Sequence, residues 1–199
     1  MSADKQTVDF YDRTASTYSR DTTPKALPTE FLSFARLLPE SCAVLDLGCG
    51  GGWAAAAFRD LGHRVTAMDA SAKMVEQVAR LGGIKTRHAT FDDMDWIKSF
   101  DAIWASFSLQ HQPRQDMAQT LENIARALKD GGLLYIGIHE GDEVIRDNLD
   151  RLYTPYTEQD LRARLALNHI EISRIERAQS TGYDGREIDC MHIEARKIG

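Results

Sequence analysis

From Cys42 onward the chain alternates short apolar runs with helix-periodic segments, and no other feature restricts its fold as tightly. CAVLDLGC, HRVTAMDA, IKTRHATF, FDAIWASFS and LLYIGIH have the composition of strands. GWAAAAFRDLG reads as a helix stopped by Gly62, and AKMVEQVARL as a second, with Ser71 as its N-cap and Gly82 and Gly83 at its end. PRQDMAQTLENIARALKDGG opens on proline and closes on a glycine pair, as a third helix should. Parallel strands need a crossover of a dozen or more residues between them, usually a helix. The alternation therefore predicts an α/β fold, a doubly wound parallel sheet with helices on both faces. A last helix, TEQDLRARLALN with Thr157 as cap, precedes two long β-rich segments, EISRIERAQS and REIDCMHIEARK. Only the turn TGYDG separates these two, so they are expected to form an antiparallel hairpin near the edge of the sheet.

Length and composition narrow the function classes. A chain of 199 residues with 43% apolar content can bury a full core, and the expectation is one domain, with residues 1–40 as a helical lead-in or lid and 41–199 as the core. The longest apolar runs fall far short of the roughly 20 residues that cross a membrane. The start, MSADKQTVDF, is polar and lacks the basic and apolar regions of a secretory signal, so the expected compartment is the cytoplasm. A net charge of −6, with lysines and arginines scattered among acids, argues against a nucleic-acid partner. The expected partner is a small molecule, with the protein a monomer or a homodimer. Cys42, Cys49 and Cys190 form no C-x-x-C pair, and the six histidines show no metal-ligand spacing, so no metal is expected. A reactive thiol at Cys49 is the one alternative kept open.

In an open parallel sheet the ligand lies beyond the carboxyl ends of the strands, which directs attention to Asp46-Leu-Gly48-Cys-Gly50-Gly51-Gly52. Gly48 and Gly50 permit a tight turn and close approach of backbone to a ligand. The turn is not a dinucleotide fingerprint: counting from Gly48, Trp53 stands where the third glycine of G-x-G-x-x-G belongs. An aspartate just before the glycines would repel a pyrophosphate and suits a cation. Asp69, at the end of the second strand, is placed to accept from both hydroxyls of a ribose.

These residues resemble the class I S-adenosylmethionine-dependent methyltransferases, over most of the chain. The first motif stands as VLDLGCGGG, the second as VTAMDAS followed by Met74, the fourth as FDAIWASFSLQHQP and the fifth as LENIARALKDGGLLYIGI. FYDRTASTY is similar to the tyrosine-rich lead-in of the small-molecule branch that includes quinone-biosynthesis enzymes. RLYTPYTEQDL and YDGREID are similar to segments of the tellurite-resistance type. The resemblance implies a Rossmann-like seven-stranded sheet of order 3-2-1-4-5-7-6 with strand 7 antiparallel, and S-adenosyl-L-methionine as cofactor. It implies that Asp46, Gly48 and Gly50 line the methionine portion, that Asp69 holds the ribose, and that Ala70 and Met74 flank the adenine. After the third strand many relatives have an acid and a small apolar residue; here Thr90 and Phe91 stand there, and Phe91 is left to cover the purine.

Ser106 and Phe107, directly after the fourth strand, are candidates for the channel of methyl transfer. His111 in SLQHQP is the candidate catalytic base, with a purely structural histidine as the alternative. Tyr11, Tyr18, His139, Tyr153 and Arg186 are candidates for the acceptor pocket. Methyl transfer needs a base only when the acceptor carries a proton to be lost. An RNA or protein methyltransferase is a weaker reading, because ASFS stands where the N/D-P-P-Y/F tetrapeptide of amide- and adenine-modifying relatives would be. A module that binds the cofactor without turnover is the reading from another class.

Overall fold

A computed structural model describes residues 3–199. Five strands, β1 (Ala43–Leu47), β2 (Arg64–Asp69), β3 (Lys85–His88), β4 (Phe100–Ser106) and β5 (Leu128–His139), run parallel. A two-residue antiparallel pair, β6 (Ile145–Arg146) and β7 (Leu152–Tyr153), stands apart from them. β8 (Ile170–Thr181) and β9 (Glu187–Lys197) complete the main sheet, whose order is β3-β2-β1-β4-β5-β9-β8. β9 is antiparallel to both of its neighbours. Counting only the strands of that sheet, this is the expected 3-2-1-4-5-7-6. The order reverses between β1 and β4, which is where such a sheet opens a crevice at its carboxyl edge.

Six helices cover the sheet: α1 (Lys5–Thr22), α2 (Thr29–Ala35), α3 (Trp53–Asp60), α4 (Ala72–Ala79), α5 (Met117–Ala127) and α6 (Glu158–Ala166). Successive residues of a strand face opposite ways, so β1 serves two cores. Val44 packs with Phe31, Phe34 and Phe58, and Leu45 packs with Leu121 and Ile124. On the α2 side, Trp104 of β4 stacks on Tyr135 of β5 with ring centroids 3.6 Å apart and planes 9° apart. Fully burying side chains of this size contributes about 1.5–3 kcal/mol each, which holds β4 and β5 rigidly together. Ser71 and Thr157 cap α4 and α6 as expected, accepting from the amides of Met74 and Asp160.

The helix expected from Pro113 to the glycine pair is shorter at both ends. Arg114–Asp116 is a 3-10 turn, and α5 ends at Ala127. Leu128 already pairs with Phe100 and is wholly buried, and Lys129 binds Asp101 at 2.7 Å, so strand pairing and burial outweigh one more helical turn. β3 is also shorter than IKTRHATF, because Phe91–Asp93 turns into a 3-10 helix. Residues 19–22 form the last turn of α1. No helix among the described residues is long and apolar enough to cross a membrane.

Candidate active site

The glycine turn is folded back on the end of β2: the amides of Gly48 and Cys49 both donate to the Met68 carbonyl, at 2.8 and 3.0 Å. Gly48 has φ +75°, and a Cβ there would lie 2.2 Å from Cβ of Ser108, so only glycine fits this crossing of the β1 and β4 loops. The Ser108 hydroxyl, bonded to the Leu47 carbonyl at 2.6 Å, locks the same crossing from the other side.

Asp46 ends up buried at 3% exposure, one residue before the end of β1. The Ala55 amide, in the first turn of α3, favours the charged form of its carboxyl, yet its Oδ2 has no hydrogen-bond partner among the described residues. Burial pushes this carboxyl up to about 7, against the pull of that amide, and the nearby Asp69 charge adds to the rise. Asp69 accepts from Gly50 N–H at 2.9 Å on one oxygen and from Ser71 N–H at 2.8 Å on the other. Its enclosure raises its carboxyl too, and those two amides oppose the rise. Each Asp69 oxygen keeps lone-pair capacity for a ligand.

α1 forms the roof. Tyr11 and Tyr18, seven residues apart, share one helical face, with their rings 5.1 Å apart. Asp12 accepts from Ser71 Oγ at 2.6 Å and from Lys73 N–H at 3.1 Å, tying α1 to the start of α4. At the other end of α1, Asp4 binds Arg146 at 2.9 Å and Thr7 Oγ accepts from Leu152 N–H. Gly51 lets the helix this close: a Cβ there would come within 2.6 Å of Ser19 Cβ.

His111 is held by a rigid loop. Gln110 accepts from His139 N–H, Gln112 accepts from Thr120, and Thr154 donates to both Gln110 and Gln112 carbonyls. His111 Nδ1 lies 2.7 Å from the Leu152 carbonyl, which can only accept, so Nδ1 carries the proton and Nε2 is the acceptor. The Tyr11 hydroxyl, 3.0 Å from Nε2, is then the donor. Burial drives the histidine down to about 4, opposed by the Leu152 carbonyl and reinforced by the charge of Arg151. Arg151, 2% exposed, donates to Tyr11 at 3.5 Å and is paired with buried Asp147 at 2.7 Å. The loop also holds Phe107 at φ +55°, a left-handed strain that turns its ring against Gly137.

A cavity of about 310 Å³ joins these parts. Asp46, Gly48, Gly50, Asp69, Ala70, Met74, Phe91 and Ser106 all line it, as do Tyr11, Tyr18, Phe107 and His111. Three candidates do not. His139 and Tyr153 stack on each other 4.8 Å apart behind Phe107 and His111. Arg186 is exposed at the tip of the β8–β9 hairpin and is bound to Asp184, which claims its guanidinium before any acceptor can. Nor is Cys49 a reactive thiol: it is buried, and that burial with the charges of Asp69 and Asp46 pushes it well above the usual range.

A family model described as a methyltransferase domain matches residues 44–132, the span from β1 through α5 to the start of β5. A ubiquinone biosynthesis O-methyltransferase of Xanthomonas oryzae pv. oryzae is 36% identical over 110 residues, 51% of this chain and 45% of that protein. The malonyl-[acyl-carrier protein] O-methyltransferase of a Methylovorus species is 32% identical over 159 residues, 67% of this chain and 52% of the relative. The chain thus spans about half the length of these relatives. The crystal structure of Burkholderia thailandensis 1,6-didemethyltoxoflavin-N1-methyltransferase, with bound 1,6-didemethyltoxoflavin and S-adenosylhomocysteine, superposes with a TM-score of 0.81 at 23% identity. That superposition covers 98% of this chain and 88% of the other. Residues 44–132 thus match a methyltransferase domain, and the fold is that of the S-adenosylhomocysteine-bound methyltransferase.

Several residues of this methyltransferase domain escaped the sequence reading. Asp12 and Ser108 are small links whose partners lie 59 and 61 residues away, and no local pattern marks them. Arg151 stood in the quoted RLY segment, but its burial against Asp147 and Tyr11 is a property of the folded chain. Glu30 lines the cavity from the first turn of α2. A helix-periodic segment gives no sign of which of its acids faces a cleft.

Proposed function

We propose that the protein transfers a methyl group from S-adenosylmethionine to a small-molecule acceptor that enters on the Ser106, Phe107 and His111 side of the cleft, with α1 and α2 as its lid. The observation that carries this is the unpartnered Oδ2 of buried Asp46, in a cavity whose lining has no lysine or arginine. Leaving a charge buried and uncompensated costs several kcal/mol, so the position favours a cationic ligand group, and a phosphate would meet only repulsion. S-adenosylmethionine has an α-ammonium and no phosphate. The residues fit it: Asp46 would hold the ammonium, both oxygens of Asp69 the ribose hydroxyls, and Ala70, Met74 and Phe91 the adenine.

When bound, the cofactor supplies a methyl carbon already activated by its sulfonium for in-line displacement, so the protein's task is chiefly positioning and exclusion of water. Tyr11 and Tyr18 roof the cavity and keep it dry. For an acceptor that must lose a proton, Tyr11 is the contact group. Its oxygen takes the acceptor proton while its own O–H proton passes to Nε2 of His111, so the tyrosine ends as it began, the imidazole holds the proton, and Arg151, donating to the tyrosine oxygen, keeps that group in place. His111 thus acts through Tyr11 rather than on the acceptor itself, and its low basicity keeps it neutral until the acceptor reacts. The named activities of the ubiquinone-biosynthesis relative and of the toxoflavin-type neighbour support a small acceptor, while the malonyl relative is named for one borne on a carrier protein.

The test is calorimetric titration with S-adenosylmethionine, S-adenosylhomocysteine and NAD. Mass-spectrometric detection of S-adenosylhomocysteine then follows, over a panel of hydroxyl and amine acceptors. Micromolar binding of both adenosyl ligands with NAD silent is expected; NAD binding in their place overturns the reading.

A further inference from the structure

The cavity lining holds four carboxylates, from Asp4, Glu30, Asp46 and Asp69, and no lysine or arginine; its one imidazole, His111, is neutral at physiological pH. Two of the four have structural work. Asp4 caps α1 and binds Arg146, and Asp69 binds two amides of the glycine turn and the α4 cap. The other two are left with capacity. Asp46 has an oxygen without a partner, and Glu30 has no hydrogen-bond or ion-pair partner among the described residues. Arg174, which reaches α2 through Ser33, is engaged by Glu194 and Glu176.

Glu30 also lies at a defined end of the cleft. Its charge acts on Tyr135 of β5 and Cys190 of β9, on the opposite side of β4 from Asp69 and Phe91. That is the side on which Ser106, at the end of β4, pairs with Gly137 of β5.

We propose that Glu30 is a specificity-determining residue, whose unpartnered carboxylate selects a positive charge at the methyl-transfer end of the cavity. This rests on the cofactor reading above. S-adenosylmethionine carries two cationic centres; Asp46 answers the ammonium, and Glu30 is the free carboxylate for a second. That second cation has two sources, the sulfonium of the cofactor or an ammonium on the acceptor.

Two titrations separate them. In the first, wild type and Glu30→Gln bind sinefungin, which carries an amine where the methyl sulfonium would be, and S-adenosylhomocysteine, which has no charge there. A wild-type preference for sinefungin of about fivefold or more, falling to within about twofold in Glu30→Gln and kept in Glu30→Asp, assigns the sulfonium. In the second, protein saturated with S-adenosylhomocysteine binds tyramine or 3-(4-hydroxyphenyl)propionate, the same phenol with opposite charge. A preference for tyramine that Glu30→Gln removes assigns the acceptor ammonium. Binding of both adenosyl ligands with no Glu30-dependent preference in either titration, including failure of both phenols to bind, overturns the proposal and leaves the cofactor reading standing. Failure of both adenosyl ligands to bind overturns the cofactor reading, and this inference with it.

Discussion

The floor of the cleft and its roof are built by different means. The floor comes from one continuous piece of chain, Asp46 to Met74, in which strand ends, a glycine turn and a helix cap place every group through backbone hydrogen bonds. The roof is assembled from distant segments: Tyr11 meets His111 across 100 residues, Asp4 meets Arg146 across 142, and Thr7 meets Leu152 across 145. The floor is therefore specified locally and tolerates change elsewhere. The roof depends on buried charges and aromatic rings meeting correctly after the chain has folded.

The largest expected effect tests that dependence. Arg151→Ala leaves Asp147 buried without its partner, and breaking a pair this buried costs about 3–5 kcal/mol. Urea denaturation should show that loss, while S-adenosylhomocysteine affinity of the folded variant stays within about threefold of wild type. An equally large loss of affinity would show that roof and floor are one unit.

Asp69→Ala should do the reverse. It removes the two charge-assisted bonds to the ribose that the proposed function assigns to Asp69, worth about 1.5–3 kcal/mol each. Affinity for both adenosyl ligands is expected to fall by about 100-fold or more, read by calorimetry. Unchanged binding would mean that the ribose lies elsewhere.

Smaller effects sharpen the contrast. Tyr11→Phe leaves Nε2 of His111 enclosed without a donor, a loss of about 1–3 kcal/mol in stability. Methyl transfer to a phenolic acceptor should fall further than to a tertiary amine, which has no proton to give up. Equal losses on both would remove Tyr11 from proton transfer.

The last prediction concerns protons. Burial raises Asp46 from 3.8 to about 7 in the folded protein, so its neutral form is the one the fold favours. The stability this group contributes is full below pH 3.8 and is lost as pH rises through about 7. The melting temperature of Asp46→Asn relative to wild type should therefore rise between these limits. The comparison cancels the opposite slope from His111 and His139, which burial lowers to about 4. Cofactor binding should release a fraction of a proton near pH 7 in wild type and less in the variant, measured in buffers of different ionisation enthalpy.

The floor was legible because its signals are local. Asp46, Gly48, Gly50 and Asp69 stand at strand ends that apolar patterning locates, and the hairpin's antiparallel return followed from a turn too short for a crossover. Much of the roof was not. Tyr11 and Tyr18 were pocket candidates from a tyrosine-rich lead-in, but nothing in the sequence told that Tyr11 would occupy the acceptor nitrogen of His111. Arg186 was drawn toward the pocket by its neighbourhood in the chain, whereas Asp184, two residues before it, holds it in the turn. α5 was overextended because the glycine pair looks like a helix stop, and the pairing of Leu128 with Phe100 depends on a strand 28 residues earlier.

Because β9 runs against the rest of the sheet, the loop joining it to β8 arrives at the ligand edge. There Tyr183 rests 5.0 Å from Tyr18 and within reach of Asp21. Adding or removing one residue pair in that hairpin would carry the tip about 3.4 Å along the strand axis, while β1, β2 and β4 stay where they are. The support that Tyr183 gives the roof at Tyr18 is thus adjustable by ribbon length alone, like a hinged awning on a fixed wall, with the glycine turn and Asp69 left in place.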